Sequence, residues 1–366
     1  MRGLYVHIPF CAVKCYYCDF VAVSGQGHWS QRYLNALASE MAAYRHLPVD
    51  SVYVGGGTPS ELSAEQIEEL FRAVECRWGS LRGSGREATF EANPESLDAA
   101  KLEALLHCGV NRLSLGLEAV QDSLLKALGR QHDFDRFLEV FHLAREAGFG
   151  NLNVDLMFAL PGQTLDHWSE SLERVLDLKP QHISLYGLFV EDQTVLRKRG
   201  VVVDEDLGSE MYPLAIGRLQ AAGYHHYEIS NFSLPGFEAV HNRNYWRNGE
   251  YIGVGCGAVS FLGGARQGRV ATLKSYCEAV EKGLSPIHWQ ESLDGQKRMG
   301  EDIFLGLRQM DGFELPPEAY QAFKPQWVKL KSLGLVEMEG LEGESALARL
   351  TSKGILLANQ VFQEFV

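Results

Sequence analysis

Six short runs of β-branched and aromatic residues constrain this chain more than any other feature. LYVHIP, SVYV, EATFEAN, RLSLGLE, NLNVDLMF and HISLYGLF follow one another through the first 190 residues, each separated from the next by a longer segment of helical period. Repeated β/α units with nearly continuous apolar strands predict a parallel sheet covered by helices, either doubly wound or curled into a whole or partial barrel. Helix signals agree with this division. Ser63 and Gln66 stand three residues apart ahead of the apolar positions Ile67, Leu70 and Phe71, the spacing of a capping box. Gly109 and Gly148 suit helix C-termini, where a left-handed residue closes the last turn. In either architecture ligands gather beyond the carboxyl ends of the strands.

Residues 1–190 therefore read as a (β/α)6 core, and the rhythm changes after it. Residues 191–290 begin with a helix near Glu205 to Gly223, followed by HHYEIS, an aromatic and amide-rich loop, and YIGVGCGAVSF. This segment is expected to cover the sheet's open edge. Residues 291–366 carry helices and then LVEMEGLEGESALARLTSKGILLANQVF, a hairpin and helix pattern similar to a winged-helix module. With 12 acidic against 8 basic side chains in that stretch, a net of −4, DNA binding is not expected of it.

The whole chain carries a net charge of −13, which disfavours attraction to nucleic acid phosphates and to anionic membrane surfaces. Its start, MRGLYVHIPFC, lacks the apolar stretch of a secretory signal, and no segment reaches the roughly 20 apolar residues of a membrane span. The expected location is the cytoplasm.

Seven cysteines without a secretory signal argue against a disulfide framework. Cys76, Cys108, Cys256 and Cys277 are scattered and are expected to be small buried hydrophobes. Cys11, Cys15 and Cys18 instead form C-x-x-x-C-x-x-C just after the first strand, close enough for three thiolates to converge on one iron–sulfur cluster. The missing fourth thiolate matters, because a closed structural zinc site wants four ligands whereas three leave one iron open.

HIPFCAVKCYYCDF, GGGTP, FEANPE, RLSLGLE and NVDLMFALPGQT occur in an order and spacing that resembles the coproporphyrinogen dehydrogenase-like radical S-adenosylmethionine (SAM) family over nearly the whole chain. The resemblance implies a partial (β/α)6 TIM-like radical SAM barrel with a small C-terminal α+β domain. It also implies a [4Fe-4S] cluster on Cys11, Cys15 and Cys18, with SAM on the open iron. Tyr5, Tyr17, Gly56, Gly57, Thr58, Glu91, Glu118, Arg130 and Asp155 match the family's SAM-contacting positions. Gly56 and Gly57 also read simply as a tight strand-to-helix turn. The segment His241-Asn242-Arg243-Asn244-Tyr245-Trp246 fits the H-N-x-x-Y-W signature of a haem-chaperone subgroup. That match points to His241 as a haem ligand, with Tyr245 and Trp246 as flat apolar surface. The plainer alternative is that His241 makes a structural hydrogen bond while Tyr245 and Trp246 pack the loop. Gly253, Gly255 and Gly257 mimic part of a dinucleotide fingerprint but lack its β/α/β context, and read better as a crowded strand.

The chain departs from the pattern at three positions. Glu118 stands where the family usually has Gln, which removes an amide donor. Val259 stands where the chaperone subgroup usually has His. Phe20 stands where the family's enzymes carry a further cysteine, and that absence favours a chaperone that binds haem as cargo and delivers it to apo-haemoproteins. The alternatives are an oxygen-independent coproporphyrinogen III dehydrogenase and another radical SAM tetrapyrrole enzyme.

Overall fold

In the computed structural model, which describes residues 1–340 and 345–366, the six runs are six parallel strands. They are β1 (Arg2–Ile8), β2 (Ser51–Gly56), β3 (Glu87–Ala92), β4 (Arg112–Glu118), β5 (Leu152–Phe158) and β6 (His182–Gly187), paired in chain order. Helices α1 (Ser30–Ala42), α2 (Ala64–Trp78), α3 (Ala99–His107), α4 (Asp122–Leu128), α5 (Phe134–Ala147) and α6 (Leu165–Asp177) return the chain between them. The α2 capping box forms, with the Ser63 hydroxyl accepting from Gln66 N and the Gln66 side chain accepting from Ser63 N. Gly148 closes α5 in the left-handed region at φ 114°.

The strands alternate rather than being apolar throughout. Leu4, Val6 and Ile8 of β1, Leu113, Leu115 and Leu117 of β4, and Leu152, Val154 and Leu156 of β5 are fully buried in the core shared with the helices. Their neighbours, including Tyr5, His7, Tyr53, Glu91, Ser114, Asn153, Asp155 and His182, face the opposite way and hydrogen-bond within and between strands. The sheet thus curls into a partial barrel whose interior is polar, not filled by branched apolar side chains.

Residues 191–290 lengthen the sheet at both ends. After α7 (Val195–Lys198) and α8 (Glu205–Ala221), β7 (His225–Glu228) and β8 (Asn231–Ser233) extend it antiparallel beyond β6. Past α9 (Val240–Trp246), β9 (Glu250–Val254) pairs parallel with β1, and β10 (Val259–Leu262), β11 (Ala265–Arg269) and β12 (Ile287–Ser292) continue antiparallel. Gly253 and Gly255 lie in crowded backbone, where added Cβ atoms would come within 2.0 Å of Val259 O and 2.5 Å of Tyr33 Oη. The buried Glu40 on α1 fastens this extension, accepting from Arg269 Nε at 2.8 Å, Gly255 N at 2.9 Å and the Tyr276 hydroxyl at 2.5 Å.

A second apolar core, centred on Ile303, Leu307, Trp327, Leu350 and Val361, holds the C-terminal residues. Here β13 (Phe313–Leu315), β14 (Val336–Glu339) and β15 (Ala346–Leu350) form an antiparallel sheet in the order β13-β15-β14. The turn of the expected hairpin, 341–344, falls outside the described residues. Cys108, Cys256 and Cys277 are buried, but Cys76 is exposed, since it lies on the face of α2 opposite Ile67, Leu70 and Val74. Among the described residues no helix is long and apolar enough to cross a membrane.

The HNxxYW segment closes the amino-terminal end of the barrel. His241 is 1% exposed, with Nδ1 2.9 Å from the Ser51 hydroxyl and Nε2 3.0 Å from the Tyr245 hydroxyl. Its ring packs 5.2 Å from that of Tyr53 and fills the space beside Gly3. Val240 N and His241 N donate to the Glu87 carboxylate at the start of β3. Burial, aided by the charge of Arg112, pushes the imidazole pKa from 6.5 down to about 3.

Two predictions follow from this packing. Glu40→Ala strands Arg269 in the interior and should cost about 3 kcal/mol of stability, read from the urea midpoint; an unchanged midpoint would contradict the fastening role. His241→Ala removes two hydrogen bonds and leaves a cavity, again at a cost of about 3 kcal/mol. Below pH 6.5 the unfolded imidazole takes up a proton that the folded one refuses. The wild-type advantage over His241→Ala should therefore shrink by about 1.4 kcal/mol per pH unit as pH falls. A pH-independent difference would rule out the buried neutral imidazole.

Candidate functional site

Beyond Ile8 the chain enters the loop that carries the three clustered cysteines. Backbone bonds tie this loop down: Gly57 N donates to Ile8 O at 2.8 Å, Thr58 N to Phe10 O at 2.7 Å and Tyr16 N to Leu128 O at 2.9 Å. A cavity of about 390 Å³ opens here at the carboxyl ends of the strands, and its wall includes Cys11, Cys15, Cys18, Tyr17, Gly56, Gly57, Thr58, Glu91, Glu118, Arg130 and Asp155. Tyr5 is not on that wall. It faces the polar lumen, where its hydroxyl lies 2.9 Å from His7 Nδ1.

Two of the sulfurs have polar groups aimed at them. Thr58 Oγ1 lies 3.4 Å from Cys11 Sγ, and Arg130 Nη1 lies 3.7 Å from Cys15 Sγ. Asn93 joins these two donors, donating to Thr58 Oγ1 at 3.1 Å and accepting from Arg130 Nη2 at 3.0 Å. Burial pushes the Cys11 thiol up to about 11 and raises Cys15 and Cys18 as well, so thiolate formation here requires a cationic partner. Among the described residues no three side chains of metal-binding type converge on a single ion position. Three thiolates that each take a different iron of one cluster do not need such convergence.

The glycines have two roles. A Cβ at Gly56, whose φ is 117°, would lie 2.5 Å from the His7 ring, so the turn needs glycine for packing. The same turn presents Gly56 N to Glu91 Oε2 at 3.1 Å, while Glu91 Oε1 accepts from the Tyr53 hydroxyl at 2.5 Å. Asp155 is held by Asn153 Nδ2 at 2.8 Å and Ser114 Oγ at 3.2 Å, and Asn153 Oδ1 lies 2.5 Å from His182 Nδ1.

Glu118 sits at a bulge in β4, in the left-handed region at φ 69°, a costly conformation for a buried non-glycine residue. It accepts from the Tyr17 hydroxyl at 3.2 Å and faces Arg130 Nη1 at 3.6 Å. Burial pushes its carboxyl up to about 7, with Asp155 adding to the effect and Arg130 opposing it. A glutamine there would present an amide donor in place of the carboxyl. Burial likewise raises Glu91 and Asp155.

His241, Tyr245 and Trp246 are not part of this cavity. Both ring nitrogens of His241 are engaged inside the barrel, and Trp246 packs under the Arg308 guanidinium at 4.3 Å. In this conformation His241 has no nitrogen free for iron, because sealing the barrel occupies both. Val259 lies on β10, away from the cavity wall. Of the residues not singled out from the sequence, His7, Asn93 and Asn153 stand two positions from a selected residue, at the end or on the inner face of the same strand, and Ser114 stands four positions before Glu118 on its strand.

Comparison with known proteins agrees with this geometry. The Radical SAM superfamily model matches residues 5–175. The "Heme chaperone HemW" of Bacillus subtilis is 38% identical over 383 residues, covering 100% of this chain and 99% of that protein. The protein of the same name from Lactococcus lactis is 37% identical over 375 residues, covering 100% and 97%. Among solved structures, coproporphyrinogen III oxidase (HemN) from Escherichia coli superimposes with a TM-score of 0.86 at 24% identity, covering 100% of this chain and 89% of that one, a likeness of fold. The chain belongs to the HemW family of the radical SAM superfamily.

Proposed function

We propose that this chain is a haem chaperone, which binds haem and passes it to apo-haemoproteins, and that Cys11, Cys15 and Cys18 hold a [4Fe-4S] cluster beside a SAM site. The observation that carries the reading is similarity from end to end, at 37–38% identity, to relatives that bear the name haem chaperone. Phe20 supports it, because it stands where the family's dehydrogenases have a further cysteine.

When bound, the cluster supplies one electron and an open iron for the amino and carboxylate groups of SAM. The chain's own residues prepare the place. Thr58 and Arg130 direct hydrogen bonds at Cys11 and Cys15, which favours thiolates and tunes the cluster. Asn93 holds those donors in register. Glu91, Glu118 and Asp155 form an acidic wall suited to a cationic ligand and to ribose hydroxyls, and Arg130 is the only buried cation lining the cavity among the described residues.

Anaerobic titration of the reconstituted protein with haem, followed at the Soret band, should give saturable stoichiometric binding, and the bound haem should pass to an apo-haemoprotein. Absence of saturable binding would overturn the chaperone reading. Cys15→Ala should lose the brown absorbance and most bound iron while retaining its far-ultraviolet dichroism; full iron content in that variant would sink the cluster assignment.

A further inference from the structure

We propose that the haem site is the aromatic rim of the cluster cavity, with the porphyrin lying flat against Phe20, Tyr186 and Phe189. The inference rests on the chaperone reading and names the surface that would take the cargo. Phe20 is 64% exposed, Tyr186 42% and Phe189 71%. Single exposed apolar residues are ordinary on any protein surface. Here the grouping is informative: these three line one opening, and Trp289 is the only other aromatic residue among the exposed large hydrophobics of the described residues.

The rim is built from two separate segments. Phe20 follows the cysteine loop, and Tyr186 and Phe189 come from the end of β6 and the turn after it. Val13, also exposed, completes the apolar border. Leaving a phenylalanine side chain in water forgoes roughly 1.5–3 kcal/mol relative to burial, so a cluster of such groups gains from a ligand that covers them together.

The shape selects the ligand. The rim surrounds a pit lined by the buried Glu118 and the half-buried Glu91 and Asp155. An acyl chain or an apolar helix reaching into the pit would bring no polar group to those carboxylates. A rigid planar macrocycle can rest on the aromatic rings while the pit stays hydrated or holds SAM, and aromatic faces suit a flat π-system. Lys14, whose Nζ donates to Phe20 O at 2.8 Å, places a cation at the same border for a propionate. Asp19 and Glu191 also line the opening, so the contact depends on the ring plane more than on charge.

The test titrates reconstituted wild type, the Phe20→Ala/Phe189→Ala double variant and Trp289→Ala with haem and, separately, with gallium protoporphyrin IX. The gallium compound has the same plane and propionates but a redox-inert metal. Stacked aromatic contacts predict a roughly tenfold or greater loss of affinity for both porphyrins in the double variant. Trp289→Ala should bind like wild type, Phe20→Trp/Phe189→Trp should keep tight binding, and iron content and SAM affinity should be equal in all variants. Wild-type affinity in the double alanine variant would overturn the rim assignment while leaving the chaperone reading standing. Failure of wild type to bind haem would remove that reading and this inference together.

Discussion

Side chains on six parallel strands alternate between two environments, and the rest of the molecule follows from satisfying both. Outward positions are apolar and are covered by helices, so the hydrophobic core lies between barrel and helix layer. Inward positions are polar and must find partners, since a buried donor or acceptor left unpaired costs about 1–3 kcal/mol. Many do so by bonding across strands, as in the run from Tyr227 through His182 and Asn153 to Asp155, although the buried Thr89 hydroxyl has no partner among the described residues. A lumen lined this way is not a packed plug, and its two ends need separate treatment.

The amino-terminal end is closed by α9, where His241 spends both nitrogens on Ser51 and Tyr245 and the backbone caps Glu87. The carboxyl-terminal end stays open, because there the strands hand over to turns that require glycine and to a bulge that turns Glu118 inward. One set of residues therefore makes the barrel stable and the other makes it receptive. The HNxxYW segment belongs to the first set, which separates it from the cavity by the length of the strands.

Much of this was readable from the chain. The six strands and the α2 cap follow from local pattern and the cysteine loop from its spacing, while the choice of the GGGTP turn, Glu91, Arg130 and Asp155 comes from the family resemblance. The polar lumen was harder to see, because short runs such as RLSLGLE look uniformly apolar until Ser114 and Gly116 are placed on one face and Leu113 and Leu115 on the other. The extension of the sheet by β9 depends on a pairing with β1 nearly 250 residues away, which no local window contains. His241 shows the same limit: its residue type suits iron, and only the positions of Ser51 and Tyr245 reveal that its nitrogens are taken.

The cavity also carries an electrostatic load that bears on what it is for. Glu91 and Asp155 are half-buried and Glu118 is buried on this wall, with Arg130 facing Glu118 and Arg112 acting on the other two, and burial raises all three carboxyls. The left-handed backbone at Glu118 adds a strain of order 1–3 kcal/mol. A fold optimised for stability alone would relieve both, with an uncharged side chain for the first and glycine for the second. Keeping them is consistent with a site whose charges are balanced by a cationic ligand when it is filled. On the proposed reading the deep, charged part of the cavity holds SAM firmly, and the shallow aromatic rim takes the cargo. That division suits a carrier: a ligand resting on an exposed rim keeps one face free for the protein that must receive it, whereas a ligand sunk into the barrel would have to be extracted first.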